Sequence, residues 1–519
     1  MANTFVGLGE NGEKIYLYKY IQNTNTFKKV RQVLWGDWLT IEPNPDPNPN
    51  PDPDNPEWIA VKWAPNSDNS QTLFIPEKHT TDTRPLEIIF LDVGQGDGAV
   101  LISPERDADE RIMVIDAGEG ENMHEFLDSR YKAYRGFDFD AAIITHPDED
   151  HYLGFRAIFE DHNIGFQTIY QNGLVERPVS SKFEKIGGVV DDPQSGRKYM
   201  DKLVMDNAEM LNIFEDNAAF GRYKYPPVMH AAIHNPRIHE FRMLSTDAAH
   251  SVEEGGRKYM PGFAPADDRG YSIEVLGPIA ERSPQNRPWL RRISSNYGKT
   301  KNGHSVILRL HIGDFKVLFG GDLNKEAEKF LMKQYANISR WPTKGSQAWK
   351  DLIQTSREHF GAEIMKVCHH GASDVTDEFM CSVNPASYVI SSGDKEGHVH
   401  PRPDLLGRLG KFGRGESPVL LSTELQRSTR EREDTKMVQK LNRDIDRLAN
   451  NPTQSLKDRI IEDIKKLSRT NVDVYGSIYV KTDGTRLITA FKIEEKSPKK
   501  KWFYFEYRKG DDGRLEMVH

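Results

Sequence analysis

The chain has 519 residues, more than one ordinary domain needs. At 37% hydrophobic and 29% charged it has the balance of a water-soluble protein, and it has no run of about 18 apolar residues able to cross a bilayer. A net charge of −8 excludes a generally basic coat for nucleic acid, and two cysteines, Cys368 and Cys381, exclude a disulfide framework.

The first residues lack a basic region followed by an apolar core, so no secretory signal is read and a cytoplasmic location is expected. Residues 1–80 alternate aromatic and β-branched runs with turn residues, as in Tyr16–Tyr20, Val30–Ile41 and Glu57–Trp63. This predicts a small β module, similar to a bacterial SH3-like barrel. Between its strands, Pro43 to Pro56 alternates proline with Asn and Asp, which removes backbone donors and predicts an extended loop. Residues 77–85 read as a linker.

From residue 86 the pattern changes to short apolar strands that end in Gly, Asp or His. They are Leu86-Glu-Ile-Ile-Phe-Leu-Asp-Val-Gly-Gln-Gly-Asp97, Arg111-Ile-Met-Val-Ile-Asp-Ala-Gly118, Asp140-Ala-Ala-Ile-Ile-Thr145, Phe315-Lys-Val-Leu-Phe-Gly-Gly-Asp322, Ile364-Met-Lys-Val-Cys-His-His-Gly371 and Tyr388-Val-Ile-Ser-Ser-Gly393. Strand-end loops are where such scaffolds collect reactive groups. Residues 163 to about 300 read as an insert of mixed composition. Within it, 281–301 carries Arg282, Arg287, Arg291, Arg292, Lys299 and Lys301 against one acid, Glu281, with Trp289 and Tyr297 interleaved. Charge beside a stacking face suits phosphate and base contact, so Arg291, Arg292 and Trp289 are candidate substrate-binding residues; a solvated loop is the competing reading. Residues 431–468 predict a helical hairpin broken at Asn450-Asn-Pro-Thr453, and 474–507 predict strands.

The most informative stretch is Thr145-His-Pro-Asp-Glu-Asp-His151. It sets His146, Asp148, Asp150 and His151 directly after a strand. Imidazole and carboxylate together bind first-row metals, and two such pairs within six residues suit two ions. A solvated acidic loop with two incidental histidines is the bland alternative. Cys368 adjoins His369, but a buried strand-end thiol is favoured over a thiolate ligand.

Taken in order, L-D-V-G-Q-G-D, H-P-D-x-D-H, G-D, H-H-G and Gly397-His-Val-His-Pro401 resemble the metallo-β-lactamase superfamily, and within it the hydrolase domain of ComEC-type DNA-uptake proteins. The resemblance covers about 86–403. It implies an α/β, four-layer αββα fold, flanked by the SH3-like β module at 1–80 and by a helical hairpin plus β extension at 404–519. It implies two divalent ions, manganese or zinc. His146 and Asp148 would bind one and Asp150 and His151 the other, with Asp322 bridging and Asp116 bracing the loop. His398 or His400 would supply a late histidine. His304 is a further candidate ligand, with Asn302 as its alternative. Asp148 stands where the family's commonest loop has histidine, which shifts preference from zinc toward harder metals. The ions would activate a water for attack on phosphorus or a carbonyl carbon, and His369 or His370 would protonate the leaving oxygen or bind metal. The expected function is a metal-dependent phosphodiesterase, a nuclease acting on DNA. The alternatives are a small-molecule phosphodiester or ester hydrolase, and an interaction component of a bacterial defence or DNA-processing complex, with partners docking on the β module or the hairpin.

Overall fold

The computed structural model describes residues 3–49, 57–63, 71–131, 138–393, 400–415, 417–423, 430–468, 476–493, 497–510 and 515–519. Residues 50–56 of the Pro/Asn/Asp loop and the candidate ligand His398 lie outside that set. Among the described residues the strands form four sheets.

The first large sheet runs in the order Ile238–Met243, Gly165–Gln171, Asp138–Ile144, Ile112–Ala117, Gly98–Ile102, Leu86–Phe90, Ile478–Thr482, Arg486–Lys492, Trp502–Lys509 and Leu515–Met517. The second runs Val252–Glu254, Arg257–Tyr259, Tyr271–Gly277, Ile307–Ile312, Phe315–Phe319, Ile364–Lys366, Ser387–Ile390 and Val419–Ser422. Alternation explains how they pack. In Leu86–Phe90, Ile88 and Phe90 point into one core with Ile273, Leu308 and Phe319 of the second sheet, whereas Ile89 points to the opposite face. There it meets helix residues Met123, Phe126, Phe155 and Phe159. The far face of the second sheet, through Leu318, Met365 and Tyr388, packs on Leu331, Leu352, Phe379 and Leu409 of further helices.

Two boundaries differ from the sequence reading. Gly165–Gln171 and Ile238–Met243 are strands of the first main sheet, so 163–300 is only partly an insertion; Tyr271–Gly277, whose sequence returns to strand character and resembles a core strand of the family, is a strand of the second, and the small sheet of the insertion joins Val190–Asp191, Lys198–Met200, Pro288–Arg291 and Ala280–Arg282. The C-terminal strands are not peripheral either. Ile478–Thr482 pairs along the whole of Leu86–Phe90, from Ile478 opposite Phe90 to Thr482 opposite Leu86. Residues far beyond 403 therefore complete the sheet that carries the motifs.

The N-terminal module is a seven-stranded antiparallel sheet between Asn3 and Thr81. It is tied to the C-terminal strands by the Gln32 amide, which donates to the Trp502 carbonyl (3.1 Å) and accepts from the Lys501 and Trp502 amides (2.8 and 3.0 Å). The hairpin, Arg430–Asn450 with Gln454–Ser468, is held by buried Leu441 and Ile460 and by Lys440–Asp463 and Arg459–Asp444 ion pairs. Among the described residues no helix is long and apolar enough to cross a membrane.

One buried charge network braces the second sheet. Arg309, with no exposed surface, lies across the strand pair from Glu274 and donates to its Oε2 at 2.6 and 3.1 Å. Its remaining nitrogen reaches the Glu358 and Gly361 carbonyls at a helix C-terminus. Burial alone would raise the Glu274 carboxyl, but His311 and Arg309 hold it down at about 2. Arg309→Ala leaves that carboxylate to Arg257 at 2.7 Å and His311 at 3.1 Å and is expected to cost about 1.5–3 kcal/mol in urea unfolding. The folded pKa lies below the ordinary value, so this stabilisation is complete above about pH 4.5 and fades as pH falls toward 2. The gap between wild type and variant should close over that window.

Candidate metal centre

Strand ends deliver the centre. Ile112–Ala117 carries Asp116 in its last turn of chain, Asp138–Ile144 runs into Thr145 and His146, Phe315–Phe319 into Asp322, and Ile364–Lys366 into His369 and His370. The first two strands are parallel to each other, as are the last two, and parallel strands gather their loops at one edge. The Gly94–Asp97 turn closes against the His146–His151 loop, where the Asp97 amide donates to the Asp150 carbonyl (3.2 Å). Gly96 has φ +104°, and a Cβ there would lie 1.7 Å from that carbonyl, so glycine is required.

His369 and His370 have φ of +52° and +51°. Among the described residues they are the only positive-φ positions that are not Gly, Asn or Asp. Such strain persists where the surroundings over-determine it, typically at functional sites.

Two carboxylate–imidazole pairs set the ligands. Asp116 Oδ2 lies 2.8 Å from His151 Nδ1 while its two oxygens also accept from the Thr145 amide (2.8 Å) and hydroxyl (2.7 Å). Asp97 Oδ1 lies 3.1 Å from His370 Nδ1. Each imidazole therefore turns its Nε2 inward. His151 Nε2 is 3.3 Å from Asp322 Oδ1 and 3.9 Å from Asp150 Oδ1; His370 Nε2 is 3.4 Å from Asp322 Oδ2 and 3.3 Å from Asp150 Oδ2. Ligand atoms of Asp97, His151, Asp322 and His370 all fall within 4.8 Å of one another. Asp97 is engaged by both the buried Lys366 ammonium and His370, so we assign it to orientation and give Asp150 the fourth ligand place.

The residues fit a metal ion. His151 Nε2, His370 Nε2 and Asp322 Oδ1 are buried without an aligned hydrogen bond, despite their short separations, and the same holds for His146 Nε2 and Asp97 Oδ1. Leaving such atoms unsatisfied costs about 1–3 kcal/mol each, and a cation at their focus removes that cost. The two imidazoles are pushed well above their usual pKa, because the surrounding carboxylates, Asp322 foremost, outweigh the burial that opposes charge. His146 goes the other way: burial, then the neighbouring charge on His151 and the nearby Lys301 ammonium, hold it well below the usual value.

The remaining candidates are placed as follows. His146 Nε2 is 4.0 Å from Asp322 Oδ2, the oxygen that also faces His370 Nε2. Asp148 is not paired with it in a second ligand set; its carboxylate accepts from Lys301 Nζ at 2.9 Å. His304 is not brought to the cluster: its Nε2 lies 2.7 Å from the Arg291 carbonyl, and burial lowers its pKa to about 4. Cys368 is a buried thiol, raised by that burial, as the core reading expects. His369 sits at the rim, 31% exposed, with Nε2 3.9 Å from Asp322 Oδ2, and the His400 ring is 6.0 Å from it.

The basic run at 281–301 is largely neutralised. Arg282 pairs with Asp247, Arg287 with Glu209, Arg291 with Glu281 (2.7 and 2.8 Å), Lys299 with Glu326 and Asp374, and Lys301 with Asp148 and Glu176. Trp289 packs on Tyr199 at 4.8 Å. Arg292 lies over the Phe183 ring at 4.6 Å and, with Arg197 and Lys198, lines an open groove. The sequence reading missed Asp97, Lys366 and Glu176 as site residues. A single lysine inside Ile364-Met-Lys-Val, and the carboxylate closing Gly94-Gln-Gly-Asp97, were the available signals, since a buried strand lysine demands a partner.

Residues 99–166, which span the strand Gly98–Ile102 to the start of Gly165–Gln171 and include the whole His146–His151 loop, match the metallo-beta-lactamase superfamily. That places a metallo-β-lactamase-fold domain in this chain, of a superfamily that points to hydrolase chemistry. The domain is ComEC-like: the chain is 28% identical over 108 residues to the ComE operon protein 3 of Bacillus subtilis (strain 168). That match takes in 21% of this chain and 11% of the relative's length.

Asp116→Asn tests the orientation of His151. The amide keeps the shape but loses the charge that fixes the inward-facing tautomer. Manganese or zinc affinity, measured by titration calorimetry, is expected to fall about 10–100-fold with the fold intact.

Proposed function

We propose that the chain is a metal-dependent phosphodiesterase that acts on DNA, built as a four-layer αββα hydrolase with an SH3-like module on its N-terminal side. The observation that carries the metal-dependent part is the set of inward-facing, unsatisfied ligand atoms on His151, His370 and Asp322, with Asp150 closing the ring. Two imidazoles and two carboxylates suit manganese or zinc. A divalent ion held there would supply Lewis-acid chemistry and a water acidic enough to attack near neutral pH.

The chain's own residues do the rest. Asp116 and Asp97 hold His151 and His370 in one tautomer. Asp150 and Asp322 carry the negative charge that holds the ion. His369 stands at the rim, where it can deliver a proton to the leaving oxygen of a substrate entering from solvent. The ComEC-type resemblance supports DNA as the substrate class. A small phosphodiester is the second reading, and the neutralised 281–301 run favours it, since most of those cations are already paired within the protein.

The two readings separate in assay. With manganese added, wild type should cleave both single- or double-stranded DNA and bis-p-nitrophenyl phosphate, and Asp150→Ala should lower both by about a thousandfold or more. Arg292→Ala combined with Arg197→Ala should weaken DNA cleavage alone and reduce its salt dependence by about two released counterions. Equal activity of this double variant on DNA supports the small-substrate reading, and full activity of folded Asp150→Ala refutes the metal mechanism.

A further inference from the structure

We propose that the Lys301 ammonium takes the place of a second metal ion, so that the centre holds one divalent ion beside a fixed organic cation. The ion count stands on geometry alone; the use of the cation on substrate rests on the phosphodiesterase reading above.

Among the described residues the ligands needed for two ions are not available together. One complete set is formed there by Asp150, His151, Asp322 and His370. Outside that set lies His146, whose buried Nε2 is 4.0 Å from Asp322 Oδ2 and has no hydrogen-bond partner. Its expected partner Asp148 is taken by Lys301 Nζ at 2.9 Å, the candidate His304 is turned to the Arg291 carbonyl, and His369, 3.9 Å from Asp322 Oδ2, sits partly exposed at the rim. A dication bound through Asp148 would share that carboxylate with an ammonium and be repelled by it.

Lys301 is held as a built part, not as a surface side chain. Its side chain is 7% exposed, and Glu176, equally buried, fixes the ammonium from the other side at 3.3 Å. Glu176 in turn is held by Lys185 at 2.6 Å and by the Tyr297 hydroxyl at 2.8 Å. The helix Tyr297–Gly303 carries Lys301, and directly after it Ser305 touches the centre: its hydroxyl lies 3.3 Å from His146 Nδ1 and accepts from the Asp322 amide at 3.1 Å. The backbone is stitched to the metal loop next door, where the Val306 amide donates to the Thr145 carbonyl at 2.9 Å. Lys301 is thus aimed at the region between Asp148 and His146 by the same segment that positions Asp322. Asp148 remains 35% open to solvent, so the cation lies at the mouth of the site, where the non-bridging oxygens of a phosphodiester would arrive.

The test is a metal count with spectroscopy. The full chain is loaded with excess manganese, desalted and measured by elemental analysis, and its paramagnetic resonance spectrum is recorded. One ion per chain with the spectrum of an isolated Mn(II) is expected; two ions with an exchange-coupled spectrum overturns the proposal. Asp148→Asn, at a partly exposed position, should keep one ion with affinity changed less than about threefold. Loss of affinity by tenfold or more would make Asp148 a ligand and overturn it as well. Lys301→Ala should keep the ion and the calorimetric affinity while turnover of DNA falls about a hundredfold, and Lys301→Arg should recover part of that loss. Unchanged turnover in folded Lys301→Ala overturns the role of the cation. A protein that binds one isolated ion and cleaves no phosphodiester leaves the one-ion centre standing and removes the reaction.

Discussion

Carboxylates buried between two sheets govern this molecule. Asp97, Asp116 and Asp322 are each at most 5% exposed, and a charge so placed must find a counter-charge or lose its ionisation. Each solution shapes a neighbour. Asp97 takes Lys366 from the end of the strand Ile364–Lys366; Asp116 takes His151 and the Thr145 hydroxyl and amide; Asp322 takes what His151 and His370 present. The loops close in the shape they do because these demands converge, and the backbone tolerates left-handed residues at Asp116, His369 and His370 for the same reason.

The same electrostatics bears on how many ions can sit here. A dication about 5 Å from an ammonium is repelled by roughly 7 kcal/mol at an effective dielectric of 20. The second buried lysine, Lys366, pairs with Asp97 and also donates to the Gly321 carbonyl at 3.4 Å. The two ammonium groups differ in their surroundings: Lys366 meets Asp97, which is buried, whereas Lys301 is shared between buried Glu176 and Asp148, which is 35% open to solvent.

What was legible in the sequence followed from local pattern. Apolar strands ending in His146, Asp322 and His370 announced a strand-end centre, and ten residues around His151 held two of its four ligands, Asp150 and His151. What was not legible depends on pairs distant in sequence. Glu176 and Lys301 lie 125 residues apart, and Asp97 and Lys366 lie 269 apart. The 281–301 run looked free because only Glu281 is near in the chain; its other acids, Asp247, Glu209, Glu326, Asp374, Asp148 and Glu176, come from elsewhere. Periodicity likewise revealed the strands at 478–509 but not their partner, since pairing with Leu86–Phe90 leaves no local mark.

The adjacent histidines show how one local feature serves two tasks. In an extended strand consecutive side chains point to opposite faces, and in a helix they diverge by about a quarter turn. Two successive left-handed residues do neither; they curl the chain tightly at its exit from Ile364–Lys366. His370 is thereby driven inward, 2% exposed, where Asp97 and the Ser391 carbonyl at 3.2 Å address its Nδ1 and leave Nε2 for the ion. His369 is turned to the rim, with its ring toward His400. One imidazole becomes a ligand and its neighbour a group that can meet substrate. Straightening this turn would exchange neither role cleanly but would withdraw both, and that explains why the fold holds a strained pair of histidines at this place and nowhere else among the described residues.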